Sequence, residues 1–453
     1  MGMSGPQSPK SAQASRDLSD LEQTAPPTPT GIETVAALQS WNWPAINKWR
    51  LLAACAFSLA NGLNDSAPGA LLPYIERHYD IEYAIVSLIF VTQAVGFLTA
   101  APLTHFLEAR IGRARAYMLA AFSNIICYVV VICQPPWGLV VAVYIFNGFG
   151  IALNLALNQV WCANLVNATT ILGALHGFYG LGATVAPLAA TAMASHGVRW
   201  SYYFSIPLFL QLSCLFLAGW SFRGFEDDSA ENFLNEGTEL NEGARRSTVG
   251  ASREDPTSKA QNLKKAVRER STLLGSLFIF AYQGAEVSIS GWIITFLIKY
   301  RHGDPSRVGY VTAGFWGGVT IGRFALSHVA HKIGEKVSVV ALTAGAAAFQ
   351  LLAWFLPNVI GDGVAVSIVG LLLGPVYPCS MAIFSRLLSR SIQMSSLSII
   401  SAMGSSGGAV APFVTGIMAQ RFGTVVLHPI VLVLLAVMEA SWLALPRIQK
   451  RTD

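Results

Sequence analysis

Apolar residues fall in blocks of roughly 20 or more along most of the chain, the length an α-helix needs to cross a hydrocarbon core of about 30 Å. Twelve such blocks are predicted as helical spans, over residues 49–74, 84–107, 116–134, 138–161, 170–194, 200–221, 272–298, 308–328, 337–356, 363–388, 395–418 and 425–445. Polar sequence separates them unevenly. Residues 1–47, rich in Ser, Pro, Thr and Gln and without an apolar signal segment, read as a disordered tail, and 447–453 as a second, short tail. Residues 222–271 form the longest interruption and divide six spans (48–221) from six (272–446); only the basic stretch NLKKAVRER in this linker has a helical pattern.

An even number of crossings puts both termini on one side. Lys and Arg are retained on the cytoplasmic side, and with the N-terminus inside, 24 of the 30 fall there. The other six (30 − 24 = 6) are Arg77, Arg199, Lys299, Arg301, Arg307 and Arg421. The expectation is a multi-pass membrane protein with cytoplasmic termini, in the plasma membrane rather than an internal one. The acceptor pattern Asn167-Ala168-Thr169 then lies inside and out of reach of glycosylation.

The two halves repeat each other. HGFYGLGATVAPL in span five matches AMGSSGGAVAPF in span eleven and aligns Pro187 with Pro412 (412 − 187 = 225). EARIGRAR after span two matches AHKIGEK after span eight and aligns Gly112 with Gly334 (334 − 112 = 222). In the first span of each half one acid takes the same place, Asp65 in LANGLNDSAPGALLPY and Glu286 in FIFAYQGAEVSISGWIITF (286 − 65 = 221). Duplicated halves are the build of transporters that rock about a site near the bilayer midplane.

Composition narrows the class. Charged residues are 12% of 453, against about 25% in soluble domains, and the AVILMFWYC set is 53%. The net charge of +5 follows the topology and gives no reason to expect nucleic acid. The six cysteines, Cys55, Cys127, Cys133, Cys162, Cys214 and Cys379, lie in or at the edge of spans without C-x-x-C spacing, so neither a disulfide framework nor a metal site is expected. No H-E-x-x-H, G-x-S-x-G or phosphate-loop pattern occurs, so no enzyme and no cofactor is expected; the glycine runs GFYGLGA, GFWGGVTIG and GSSGG read as close helix packing.

Candidate chemistry starts from the acids, because a carboxylate at bilayer depth is costly and marks a cavity or a partner. Asp65 shares a helix face with Asn61 one turn before it; Glu286 shares one with Tyr282 and Gln283, with Trp292 further on. Acid, amide and aromatic groups together suit a polyol. Asn154 and Asn158 lie one turn apart in span four, His176 and Tyr179 three residues apart in span five, and Tyr377 lies in GPVYP of span ten, where Pro375 and Pro378 predict a kink. Each of these also fits a bland role, as a group bonded to a neighbouring helix. Arg323, near the inner end of span eight, reads as snorkelling to the interface or pairing with the linker.

The span count, the repeat, the linker and the loop after span two together resemble the major facilitator superfamily over about residues 48–446. That loop reads His105-Phe-Leu-Glu108-Ala109-Arg110-Ile-Gly112-Arg113-Ala-Arg115, keeping the Arg and Gly elements of the family signature but with His105 for its Gly and Ala109 for its Asp; Glu108 is the acid at hand. ANGLNDS and GAEVSISGW are similar to the fucose/proton symporter group and its fungal relatives, as is GFGIALNLALNQVW, with Asn158 at that group's Asn and Asn154 in place of its Glu. The resemblance implies an all-α membrane protein of twelve transmembrane helices in two pseudo-symmetric six-helix halves. It implies a monomeric, proton-coupled carrier of a small polar organic solute such as a sugar, with Asp65 and Glu286 as coupling or binding acids. A proton-antiport exporter and a non-transporting nutrient receptor are the alternatives.

Overall fold

The structure, a computed structural model, describes residues 39–225 and 265–446. In the first half α1 spans Asn47–Tyr79, α2 Leu88–Ile111, α3 Arg113–Ile132, α4 Trp137–Ala163, α5 Ala168–Ser195 and α6 Ser205–Ser221. In the second α7 spans Arg270–Lys299, α8 Pro305–Ile333, α9 Glu335–Phe355, α10 the two segments Val359–Leu373 and Val376–Leu387, α11 Arg390–Phe422 and α12 Leu427–Leu443. Each predicted span is met by one helix. The break in α10 falls at Gly374-Pro375, where proline lacks the amide a continuous helix needs.

Ten helical stretches are individually long and apolar enough to cross a membrane, and α1 and α8 are not among them. The reason is local: α1 carries Asn61, Asn64 and Asp65, and α8 carries Arg323, His328 and His331. In α1 these groups are turned toward protein, whereas in α8 only Arg323 is, and His328 and His331 lie exposed near the helix end.

The tail and linker expectations fall mostly on residues 1–38, 226–264 and 447–453, outside those described. Residues 39–46, assigned to the disordered tail, fold against the bundle instead. Val166 N donates to Gln39 O (2.9 Å), and the buried Asn47 amide donates to the carbonyls of Ser40 (2.9 Å) and Trp43 (3.1 Å). At the start of the linker Phe222 is fully buried against Tyr117 and Trp161. Of the basic stretch, residues 265–270 are described: 265–268 are helical, Glu269 interrupts, and Arg270 opens α7.

The repeat legible in the sequence recurs in the packing. Gly112 and Gly334, aligned at 222, both have left-handed φ (80° and 110°), which favours glycine because a Cβ would crowd the carbonyl, and each separates two helices. Gly96 of α2 packs on the Ile145 carbonyl of α4, and Gly318 of α8 on the Ser367 carbonyl of α10 (318 − 96 = 222 and 367 − 145 = 222). Gly182 of α5 packs on Leu59 O of α1 as Gly407 of α11 packs on Phe280 O of α7 (407 − 182 = 225 and 280 − 59 = 221). Glycine lets backbones come this close where lipid offers no hydrophobic drive for association. The same offsets make Asp65 and Glu286 equivalent positions in the fold.

The halves meet along α1 with α7, α5 with α8 and α2 with α11. Gly69 lies on the Ser290 carbonyl, Gly291 against Phe90, Gly309 against Thr191 and Gly416 against Ser87, while the Tyr83 and Trp292 rings meet edge to face at 5.7 Å. These contacts all lie toward the end of the bundle away from the termini. The Glu108–Arg113 ion pair lies within the first half, with Arg113 Nε 2.7 Å from the carboxylate; Arg386 holds Glu335 at 2.8 and 3.1 Å within the second.

Candidate functional site between the halves

Midway along α1, Asp65 accepts three hydrogen bonds, all from neutral donors. Asn64 Nδ2 (3.1 Å) and Gln93 Nε2 of α2 (3.1 Å) donate to Oδ1, and Tyr179 OH of α5 (3.1 Å) to Oδ2. Among the described residues no Lys, Arg or His pairs with this carboxylate within 4 Å. Tyr179 is also the inter-half contact, its ring edge to face with Trp316 of α8 at 6.1 Å.

Midway along α7, Glu286 is 6% exposed and is served differently. Tyr282 OH donates to Oε1 (3.1 Å), and Arg323 Nη2 of α8 reaches the same oxygen at 3.4 Å. The Tyr282 ring tilts against that of Tyr377 at 5.9 Å. The repeat explains the difference. The counterparts of Gln93 and Tyr179 are Phe315 and Gly404 (315 − 93 = 222 and 404 − 179 = 225), neither of which can donate from a side chain. Glu286 therefore takes its partners from its own helix and from α8.

The expectation that Arg323 snorkels to the interface is corrected: its side chain is only 18% exposed and is turned inward to Glu286. A guanidinium stem can reach either way, and the buried acid decides the direction. Gln93 and Trp316, which touch Asp65 and Tyr179, were not singled out in the sequence. Their signal was a lone amide in an apolar span and a ring within a glycine run.

The asparagines resolve into interhelical ties. Asn61 and Asn154 exchange bonds at 2.9 and 3.4 Å, and Asn154 also donates to Gly150 O (2.8 Å). Asn158 accepts from Tyr117 OH (2.8 Å) and donates to Ala54 O (3.4 Å); Asn64 donates to Asn147 (3.0 Å). Asn61, Asn154 and Asn158 are at most 3% exposed, and their amides are engaged in fixing α1 against its neighbours, the helix-bonding role that their sequence positions also fit. Trp292 is 1% exposed, donates to Pro412 O (2.9 Å) and packs on Tyr83. Gln283 lies against Gly404 and Gly408 of α11. His176 is exposed and stands apart from these bonds.

The arrangement therefore brings Asp65, Tyr179, Glu286, Tyr282 and Arg323 to the boundary between the halves. It can accept and donate hydrogen bonds to a polar solute. Trp316 adds a buried indole whose Nε1 has no hydrogen-bond partner among the described residues.

A family model described as Major Facilitator Superfamily matches residues 54–373 and 287–453. Bypass of stop codon protein 6 of Saccharomyces cerevisiae is 25% identical over 432 residues, covering 89% of this chain and 83% of the yeast protein. Glucose/mannose transporter GlcP of Bacillus subtilis is 21% identical over 367 residues, covering 80% of this chain and 86% of its own. Among solved structures, the D-xylose-proton symporter superposes with a TM-score of 0.68 at 12% identity, over 89% of this chain and 98% of that one. The nucleoside transporter NupG gives 0.66 at 12%, over 87% and 98%. At such identities the structural likeness is one of fold.

Proposed function

The chain belongs to the Major Facilitator Superfamily, and on that premise we propose that it moves a small polar organic solute, a sugar in the first instance, together with a proton. It is a transporter and not an enzyme. In this reading the halves rock about the Asp65–Glu286 site with both termini cytoplasmic, so that the site faces each side in turn.

The observation that carries the proposal is the unequal provision for two equivalent acids. Glu286 has a guanidinium beside it, whereas Asp65 has only neutral donors. Charge on Asp65 therefore has no fixed counter-ion among the described residues, and a proton is the cation that completes it. Protonated at Oδ2, Asp65 turns from acceptor to donor at that oxygen, and the Tyr179 hydroxyl must turn with it. Because Tyr179 packs on Trp316, a proton on the first half is felt at the contact with the second. Arg323 and Glu286 offer a donor and an acceptor side by side, and the Trp316 indole N–H a further donor; these suit adjacent hydroxyls on a ring. A sugar is favoured over other polar solutes by this donor and acceptor mix, and glucose, mannose and xylose are the solutes named for two of the similar proteins.

Reconstituted vesicles test the reading with labelled D-glucose, D-mannose and D-xylose under an inward proton gradient. Uptake against a concentration gradient is expected from the unaltered chain, and Asp65→Asn should keep sugar exchange while losing gradient-driven accumulation. Accumulation that Asp65→Asn leaves intact would remove Asp65 from proton coupling.

A further inference from the structure

Outward of the layer where Gly69 meets Ser290 and Tyr83 meets Trp292, a half-open cavity of about 460 Å3 remains between the halves. Its wall includes Tyr74, Glu76 and Arg77 from the end of α1, Glu82 and Tyr83 from the turn before α2, and Lys299 from the end of α7. Glu76 follows Asp65 by eleven residues (76 − 65 = 11). At 3.6 residues per turn and 1.5 Å per residue the two carboxyls share a face of α1 about 16 Å apart.

Three features make this more than a gap. Glu76 is half-buried, its Oε1 is closed off from solvent, and that oxygen has no hydrogen-bond partner among the described residues. Burial pushes the Glu76 carboxyl up to about 8, so near neutral pH it is a largely uncharged acid that can donate as well as accept. Lys299, across the boundary, is the cation whose field reaches Glu76, yet no ion pair within 4 Å joins them among the described residues, so the space between is not spent on a latch. The lining also mixes donors and acceptors: Glu82 accepts, Arg77 and Lys299 donate, Glu76 can do either, and the rings of Tyr74 and Tyr83 stand with them. Such a mix suits a ligand with many hydroxyls, and the volume is in the range of small-molecule sites, roughly 300–1,000 Å3.

We propose that this cavity is a second binding site for a neutral polyhydroxylated solute, in series with the Asp65–Glu286 site and with Glu76 as a hydrogen-bonding partner. It rests on the solute class proposed above. When the outer layer closes the inner site, the cavity still meets the outer face and holds solute there; when the layer parts, the shared face of α1 leads from Glu76 inward to Asp65.

The test is saturation-transfer NMR on the purified full chain with D-glucose, D-mannose and D-xylose as probes. The unaltered protein is compared with Asp65→Asn/Glu286→Gln, which disables the inner site, and with the same variant carrying Glu76→Gln or Lys299→Met. Sugar signal should persist in the inner-site variant and weaken about tenfold or more when either outer substitution is added, as for loss of a hydrogen bond whose partner is left unsatisfied. Helix content and a single species in size exclusion establish that each variant is folded. Signal lost altogether with the inner site disabled, or unchanged by both outer substitutions, overturns the outer site and leaves the transport reading standing. No signal from any of the three sugars with the unaltered chain overturns the sugar reading and this proposal together.

Discussion

Replacing Arg323 with glutamine isolates the pair that most distinguishes the second half from the first. Arg323 and Glu286 are 3.4 Å apart with side chains 18% and 8% exposed, so solvent screens them little. With an effective dielectric constant of about 20, their attraction at that distance is about 5 kcal/mol. The contact is single and long for a charge-assisted bond, which puts the expected loss at the lower end of the ~3–5 kcal/mol seen when one member of a buried pair is removed. The main cost is the carboxylate left behind. A Glu286→Gln/Arg323→Gln double variant removes that orphan and should recover most of the loss. Unfolding of the four proteins in detergent, followed by circular dichroism, gives the coupling energy of the cycle. Additive losses, with coupling below about 0.5 kcal/mol, would show that the two groups do not sense each other and would undo the assignment of Arg323 to Glu286.

Three further outcomes follow from the packing. Gly69→Ala puts a methyl where the Ser290 carbonyl lies, so the outer layer should fail to close; a cysteine placed at Trp292 should then label faster from outside than in the Gly69 parent, and equal rates would refute the close approach. Asn154→Leu strands the Asn61 amide and should cost about 1–3 kcal/mol, whereas Asn61→Leu/Asn154→Leu should cost clearly less, as read by thermal unfolding. Asp304 caps α8, accepting from Ser306 N at 2.9 Å, and that bond holds its carboxyl below the usual carboxylate range. A depressed folded value means the cap stabilises at pH above the ordinary value of about 4 and is lost as the pH falls through the folded value, so the melting difference between the parent and Asp304→Ala should shrink in acid.

Much of this architecture was legible because membrane helices leave a simple mark. The twelve blocks, the hinge glycines 112 and 334 and the kink at Pro375 follow from length, φ and the missing proline amide, which are all local properties. The equivalence of Asp65 and Glu286 was legible too, since the offsets of 221 and 225 reappear in Leu59 on Gly182 and Phe280 on Gly407. What a single sequence hides is which of several polar groups a buried side chain chooses. Asn61, Asn154 and Asn158 fit both a cavity and a helix contact by helical spacing, since spacing says which residues share a face and not what that face meets. The structure turns them to Tyr117, to one another and to backbone carbonyls.

Arg323 shows the limit most clearly, and it also shows why a duplicated fold need not have duplicated chemistry. An arginine near a span end can satisfy itself in the headgroups at little cost, so position alone favours that reading. It turns inward because Glu286 would otherwise be an unpaired buried charge, and Glu286 needs it because Phe315 and Gly404 stand where the first half has Gln93 and Tyr179. Two substitutions between the repeats thus leave one acid with neutral donors and the other with a cation. The backbone repeats while the side chains do not, and the proposed division of labour rests on that difference: a proton at Asp65 would tear no ion pair, whereas Glu286 and Arg323 already hold an acceptor and a donor side by side.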